Sequence, residues 1–248
     1  MNVVIIPAYL REERDIIMLR KLILLAGNDL GIDHIIIVDD CSPLEYDLYP
    51  YLKIRGERIR LRNNRGPAHA RNVGMDRALR LGATNLFFTD HDCELMPGWG
   101  KAFEHFLEKE KHLIAGGITR SSGDTLLDLY HEINGTLNGR LLPNGELLYT
   151  PSCNLAMRAC VAMDFQFDES FPNAAGEDVD FCFRARRKYR IGLCRDAMVD
   201  HNWGYKSTVG GIPQFIRMLK KYKAAHSLLR SRHDYADWQS EPIPSRKS

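Results

Sequence analysis

The chain has 248 residues, 44% of them hydrophobic and 27% charged, values close to those of an ordinary globular domain with a full core. Its formal net charge of +2 is not the clustered basic surplus of a nucleic-acid-binding domain, so no nucleic-acid partner is expected. No apolar run approaches the roughly 18 residues needed to span a bilayer, and the six cysteines (41, 93, 153, 160, 182 and 194) contain no C-x-x-C spacing, which argues against a zinc knuckle or a thioredoxin-like motif.

A strand-like apolar run begins at Val3, where a signal peptide would carry its basic segment. A cytoplasmic protein with reduced thiols is therefore expected, and the sequon at Asn134 is without consequence.

Val3 to Ile6 reads as a buried strand ending at Pro7, followed by a helix with Ile16, Leu19, Leu22, Ile23 and Ala26 at helical spacing. Ile35 to Val38 is a second buried strand, ending in the turn-rich Asp39-Asp40-Cys41-Ser42-Pro43. Ile59 to Leu61 is a weaker strand. Gly66-Pro67 opens a helix to about Leu81, with proline at its favoured first position. Asn85 to Thr89 is a fourth strand and ends in Asp90-His91-Asp92. Strands alternating with helices predict an α/β fold with a doubly wound, mostly parallel sheet. In such sheets ligands bind beyond the carboxyl ends of the strands. Pro7 to Tyr9, Asp39-Asp40 and Asp90 to Asp92 should therefore converge.

The second half is less regular. Trp99 to Glu110 reads as a helix and Ile114 to Ile118 as a strand. Leu126 to Ile133 is helical within a polar excursion, and 147–157 carries a strand. Asp178 to Tyr189 is a helix with acids at its start and basic residues at its end. Pro213 to Leu229 is a last, basic amphipathic helix. The expected organisation is one domain over residues 1–232, with a nucleotide-binding half to 95, an acceptor-side half over 96–204 and the basic helix over 213–232. A loosely ordered tail follows from 233 to 248.

Three local patterns carry chemistry. Asp90 and Asp92, two residues apart in extended backbone, point to the same side and offer hard oxygen donors suited to Mg²⁺ or Mn²⁺ held with phosphates. A polar strand end with solvated acids accounts for them equally well. Gly176-Glu177-Asp178 opens a helix, where macrodipole and capping alone explain the acids. Functionally, one of them could serve as a general base. His201 follows an apolar stretch, where a strand could end near the same site. It is either a structural histidine or a metal ligand.

Taken in order, Pro7-Ala8-Tyr9, Asp39-Asp40-Cys41-Ser42, Asn64-x-Gly66-x-x-x-Ala70-Arg71-Asn72-x-Gly74, Asp90-x-Asp92, Gly176-Glu177-Asp178 and His201 resemble the family 2 glycosyltransferases, inverting enzymes of the GT-A fold. The resemblance spans about residues 3–204. It implies that Pro7, Ala8 and Tyr9 line the base and ribose of a nucleotide-sugar. Asp40, with Asp39 the weaker alternative, would bind the base. Arg71 would lie near the nucleotide, Asp90 near the ribose and metal, and His91 within the same donor set. Asp92 would be the principal ligand of a divalent Mn²⁺ or Mg²⁺ and His201 a further one. Asp178, with Glu177 beside it, would be the catalytic base. The donor implied is a UDP-sugar, with GDP- and dTDP-sugars open, and the transferase would move a hexosyl or N-acetylhexosaminyl group. Leu10 departs from the family pattern, which more often has Asn after the aromatic residue.

A nucleotidyltransferase usually carries a Gly-rich loop after its first strand, and Pro7 to Arg11 contains no glycine. The G-x-G-x-x-G of a dinucleotide-binding fold and the Walker A sequence are also absent. A non-catalytic sugar-nucleotide-binding module would have no need of both the metal acids and the base candidate. Arg217, Lys220, Lys221, Lys223 and Arg230 lie among apolar residues of the last helix. They admit contact with an anionic membrane or a lipid-linked acceptor. An amphipathic helix packed on the domain with a solvated face explains the same pattern and is preferred.

Overall fold

The computed structural model describes residues 1–52, 55–171, 175–233 and 240–243. The first half runs β1 (Asn2–Ala8), α1 (Glu13–Asn28), β2 (His34–Asp39), α2 (Tyr49–Leu52), β3 (Gly56–Arg60), α3 (Pro67–Arg80) and β4 (Asn85–Phe88). The second half runs β5 (Cys93–Leu95), α4 (Trp99–Lys109), β6 (Ile114–Ser121), α5 (Leu126–Asn134), β7 (Arg140–Leu141), a 3₁₀ turn at Ser152–Asn154 and β8 (Leu155–Arg158). It continues through α6 (Ala159–Asp164), α7 (Glu177–Ala185), β9 (Ile191–His201), α8 (Thr208–Arg232) and β10 (Glu241–Pro242).

One sheet of eight strands is ordered β3-β2-β1-β4-β8-β6-β9-β5. The four strands of the first half are mutually parallel. β8 enters antiparallel between β4 and β6, β9 runs parallel to β6, and β5 closes the far edge antiparallel to β9. The result is the expected doubly wound, mixed sheet.

Both faces of the central strands are covered, which is why they read as unbroken apolar runs. Along β1, Val4 and Ile6 point to one layer with Leu19, Leu22, Trp99 and Phe103. Val3 and Ile5 point to the other, with Met75, Ala78, Phe88 and Phe181. That alternation is the two-residue period of a strand. α3 lies close against β1 and β2: a Cβ on Gly74 would stand 2.4 Å from Cγ2 of Ile5.

Several boundaries differ from expectation. α7 ends at Ala185, short of Tyr189, and only Leu155–Arg158 of the stretch from Leu147 forms a strand. α8 starts at Thr208, where Ser207 Oγ accepts the Gly210 N–H at 3.0 Å, ahead of the expected Pro213. β5, β7, α6, β10 and most of β9 were not expected. Of the stretch read as a loose tail, residues 234–239 and 244–248 lie outside the described residues. Glu241–Pro242 pairs with β7 and Ile243 is buried, so that part is held on the domain. All six cysteines are free thiols, and no helix among the described residues is long and apolar enough to cross a membrane.

Candidate active site

A cleft of about 910 Å³ opens beyond the carboxyl ends of β1 and β4. Pro7, Ala8, Tyr9, Asp40, Arg71, Asp90, His91, Asp92, Glu177, Asp178 and His201 all line it. Eleven of the twelve residues singled out from the sequence thus meet in one place.

Asp39 is the exception and corrects the expectation that it borders the nucleotide. It is fully buried, takes Arg58 at 2.6 Å and Arg60 at 2.9 Å on Oδ2, and accepts the Ser42 N–H on Oδ1. Burial would raise its pKa, but Ser42 and Arg58 outweigh burial and hold it below the usual value. Successive strand residues face opposite ways, so Asp39 ties β2 to β3 while Asp40 reaches the cleft. Asp40 accepts the N–H of Arg65 at 2.8 Å and of Gly66 at 2.7 Å, one on each oxygen. It thereby fixes the turn that opens α3, where Gly66 has φ +88°. A carboxylate has about four acceptor positions, so Asp40 retains capacity for a ligand donor.

At the cleft floor, Arg71 is buried and bridges two acids. Nη1 donates to Glu177 at 2.8 Å and Nη2 to Asp90 at 2.9 Å. Burial opposes its charge, but Asp90, Glu177 and Asp178 keep it protonated. Arg71 is thus committed to organising acids, and Asp90 is held by it. Burial, reinforced by Asp178, pushes Glu177 up to about 7 in spite of Arg71. Asp178 is raised as well, chiefly by burial. Its Oδ2 accepts the Ser152 N–H at 3.1 Å and its Oδ1 the Val179 N–H at 2.8 Å, which fixes the carboxylate at the N-terminus of α7. Asp178 is half-buried on the cleft, whereas Glu177 is almost sealed beneath it.

Asp92 reaches His201 through a pairing that the sequence did not reveal. β5 sets Cys93 opposite His201 on β9, and the Asn202 N–H donates to the Asp92 carbonyl. The side chains then stand 3.4 Å apart, Oδ2 to Nε2. Burial opposes both charges, but each partner overrides it: Asp92 is held well below the usual range and His201 is raised to about 9. The Oδ1 of Asp92 and the Nδ1 of His201 are buried without a hydrogen-bond partner. A carboxylate oxygen and an imidazole nitrogen left without partners fit a divalent cation, which would bind the imidazole in its neutral form and displace its proton. Among the described residues no group of three His, Cys, Asp or Glu side chains forms a complete cage. A cation here would depend on substrate oxygens and water for its remaining ligands, as Mg²⁺ and Mn²⁺ commonly do at phosphates.

Other lining residues were not anticipated. Arg65 and Glu169 pair at 2.7 Å on one wall. Trp203, stacked on His131 with centroids 3.6 Å apart, stands on another. α8 contributes Lys221, Tyr222, Ala225, His226 and Leu229. Its end is anchored by Arg232 on Asp168 at 2.6 Å and His233 on Asp180 at 2.8 Å. The basic helix was legible, but nothing in its pattern indicated that it walls the cleft.

The family model described as Glycosyl transferase family 2 matches residues 3–166, about two thirds of the chain. The chain belongs to glycosyl transferase family 2. That family is one of glycosyltransferases, not of nucleotidyltransferases. The matched segment contains Pro7 to Asp92, while Glu177, Asp178 and His201 lie beyond it, so their assignment leans on the geometry just described. No curated protein matches the sequence.

Solved structures share the fold. GalNAc-T7, in a crystal structure with UDP, GalNAc and Mn²⁺, superposes with a TM-score of 0.64 at 13% identity, over 83% of this chain and 44% of that one. Residues 1–349 of S. aureus TarS give a TM-score of 0.61 at 19% identity, over 88% and 64%. The same fragment in complex with UDP gives 0.60 at 21% identity, over 81% and 60%. The chain thus spans 44% to 64% of the length of these neighbours. The architecture they share with this family 2 chain is the GT-A fold.

Proposed function

We propose that this family 2 enzyme transfers a hexosyl or N-acetylhexosaminyl group from a UDP-sugar to an acceptor hydroxyl in one inverting displacement, with Asp178 as base. The observation that carries the reading is the meeting of Asp178 with the Asp92–His201 pair in one cleft, each presented on a different strand or helix end. UDP is the favoured nucleotide because GalNAc-T7 is solved with UDP, and TarS with UDP and with UDP-GlcNAc.

Tyr9, exposed at the rim, offers a ring for the base to stack on, and Asp40 offers acceptor capacity for an imide N–H. Asp92 and His201 would hold a divalent cation through their unpartnered atoms. When bound, such a cation neutralises charge on the departing diphosphate. Arg71 keeps Asp90 and Glu177 fixed beneath the donor. Asp178, oriented by two backbone N–H groups, takes the proton of the acceptor hydroxyl as its oxygen bonds to the anomeric carbon. The bond to the diphosphate oxygen breaks in the same step, and attack from the opposite face inverts the anomeric centre. Burial raises Asp178 toward neutral pH, which strengthens it as a base.

A panel of UDP-sugars tests this, with UDP release followed by coupled assay in the presence of Mn²⁺. One donor should turn over, slowly with water and faster with its acceptor, and Asp178→Asn should lose the reaction. Turnover of no UDP-sugar, or full activity of Asp178→Asn, would contradict the reading.

A further inference from the structure

Two helices display apolar stripes to solvent. On α8, Val209, Ile212, Ile216 and Leu219 recur at helical spacing on one face. On α5, Leu126, Leu129, Tyr130 and Ile133 do the same. All eight are between 40% and 78% exposed, and they account for most of the large exposed hydrophobic residues among the described residues. The helices touch one another, with the rings of Tyr130 and Phe215 5.1 Å apart and the Leu126 N–H on Thr208 Oγ1 at 3.1 Å. The stripes therefore form one patch.

α8 has a separate packed face. Gly211, Ala225 and Leu229 are buried, and Phe215, Met218 and Tyr222 are half-buried. At 100° per residue this face lies roughly 120° around the helix from the exposed stripe. The stripe is thus surplus to folding: α8 packs on the domain and has a solvated face, as expected from the sequence, but part of that face is apolar.

Charge selects the occupant. α8 has six Lys and Arg residues and no acid. Arg217, Lys220 and Lys223 are exposed; Lys223 continues the stripe along the helix and Lys220 flanks it. The two acids of α5 turn inward: Asp128 is buried, and Glu132 accepts the Ser121 N–H at 2.7 Å. A second copy meeting this patch about a two-fold axis would set the basic rows of the two α8 helices near one another, with no acid on α8 and neither acid of α5 exposed to offset them. A bilayer with anionic headgroups accepts both components, the apolar side chains among the acyl chains and the ammonium and guanidinium groups at the phosphates.

We propose that the α5–α8 face docks on an anionic membrane surface. Docking there carries the cleft with it, because α8 supplies Lys221 and Tyr222 to the cleft wall from its other side. The proposal does not depend on which nucleotide-sugar is the donor.

The test is co-sedimentation of the full chain with phosphatidylcholine vesicles prepared with and without phosphatidylglycerol. Binding is expected only to the anionic vesicles, and it should weaken as salt is raised. Ile212→Asp with Ile216→Asp should reduce partitioning by about tenfold or more. Lys220→Glu with Lys223→Glu should do likewise. All four positions are exposed, so melting temperature and stabilisation by UDP should stay as in the parent chain. Absence of binding to anionic vesicles would overturn the proposal, as would binding unchanged in both variants. A dimer in solution that the same substitutions dissociate would overturn it in favour of a second copy.

Discussion

Arg71 and Glu177, 106 residues apart in sequence, form a buried ion pair at 2.8 Å that joins α3 to the start of α7 beneath the cleft. With Asp90 on its other nitrogen, Arg71 holds the end of β4 and the start of α7 in one frame. Replacing Arg71 with alanine leaves Glu177 buried without a cation. Such a loss costs about 3–5 kcal/mol, and urea unfolding should show it as a lower midpoint. Arg71→Met combined with Glu177→Leu should recover much of that stability, because both buried charges are gone. The same double variant should remain poorly active, since Asp90 has lost its anchor.

Asp178→Asn keeps the size and shape of the side chain but removes the basic oxygen, and its single carbonyl oxygen can accept only one of the Ser152 and Val179 N–H groups. Loss of a general base lowers turnover by about 100- to 10,000-fold. Steady-state kinetics should place that loss in kcat, with UDP affinity nearly unchanged. A variant that loses UDP binding in proportion to turnover would instead mark Asp178 as a donor ligand.

The acidic limb of the rate profile follows from the raised carboxyls. Burial lifts Asp178 above its ordinary 3.8, and burial with Asp178 lifts Glu177 to about 7. A base works only when ionised, so kcat/KM should climb with pH through a range above that of an ordinary aspartate and then level off. The sign for stability is opposite: folding favours the protonated forms, so this pair's contribution is greatest below the unfolded pKa values and fades as pH rises through the folded ones. Rates measured against pH at saturating metal would check the first statement. A profile flat down to the ordinary value would contradict it.

Gly74 has no room for a side chain. A methyl group there would meet Ile5 at 2.4 Å, and β1 cannot yield without disturbing Pro7 and Ala8 at its end. Gly74→Ala should destabilise the fold by about 1–3 kcal/mol and weaken UDP binding as well, read by unfolding and titration on the same sample.

The first-half residues of this site were legible because β1, β2 and β4 read as continuous apolar runs with Pro7 or acids at their carboxyl ends, although β1 itself continues through Pro7 to Ala8. Which of two adjacent acids faces the cleft was not legible. Asp39 and Asp40 differ only in strand parity, and Arg58 and Arg60 on β3 decide the matter. Three-residue β5 is too short to carry a period, yet its pairing with β9 is what delivers Asp92 to His201. β9 itself is interrupted by Gly192 and by exposed Arg195 and Asp196, and the register shifts between Gly116 and Ile118 on its partner. The part played by α8 in the cleft depends on long-range anchors, Arg232 on Asp168 and His233 on Asp180, which no local pattern announces.

The most direct test of a metal-assisted UDP-sugar site is thermal unfolding with UDP, with and without Mn²⁺, in the parent chain and in Asp92→Ala. Ligands that bind only the folded state raise the melting temperature. The account predicts a clear rise with UDP and Mn²⁺ together, a smaller one with either alone, and loss of the joint effect in Asp92→Ala. A rise with UDP that ignores both Mn²⁺ and the substitution, or no rise at all, would contradict it.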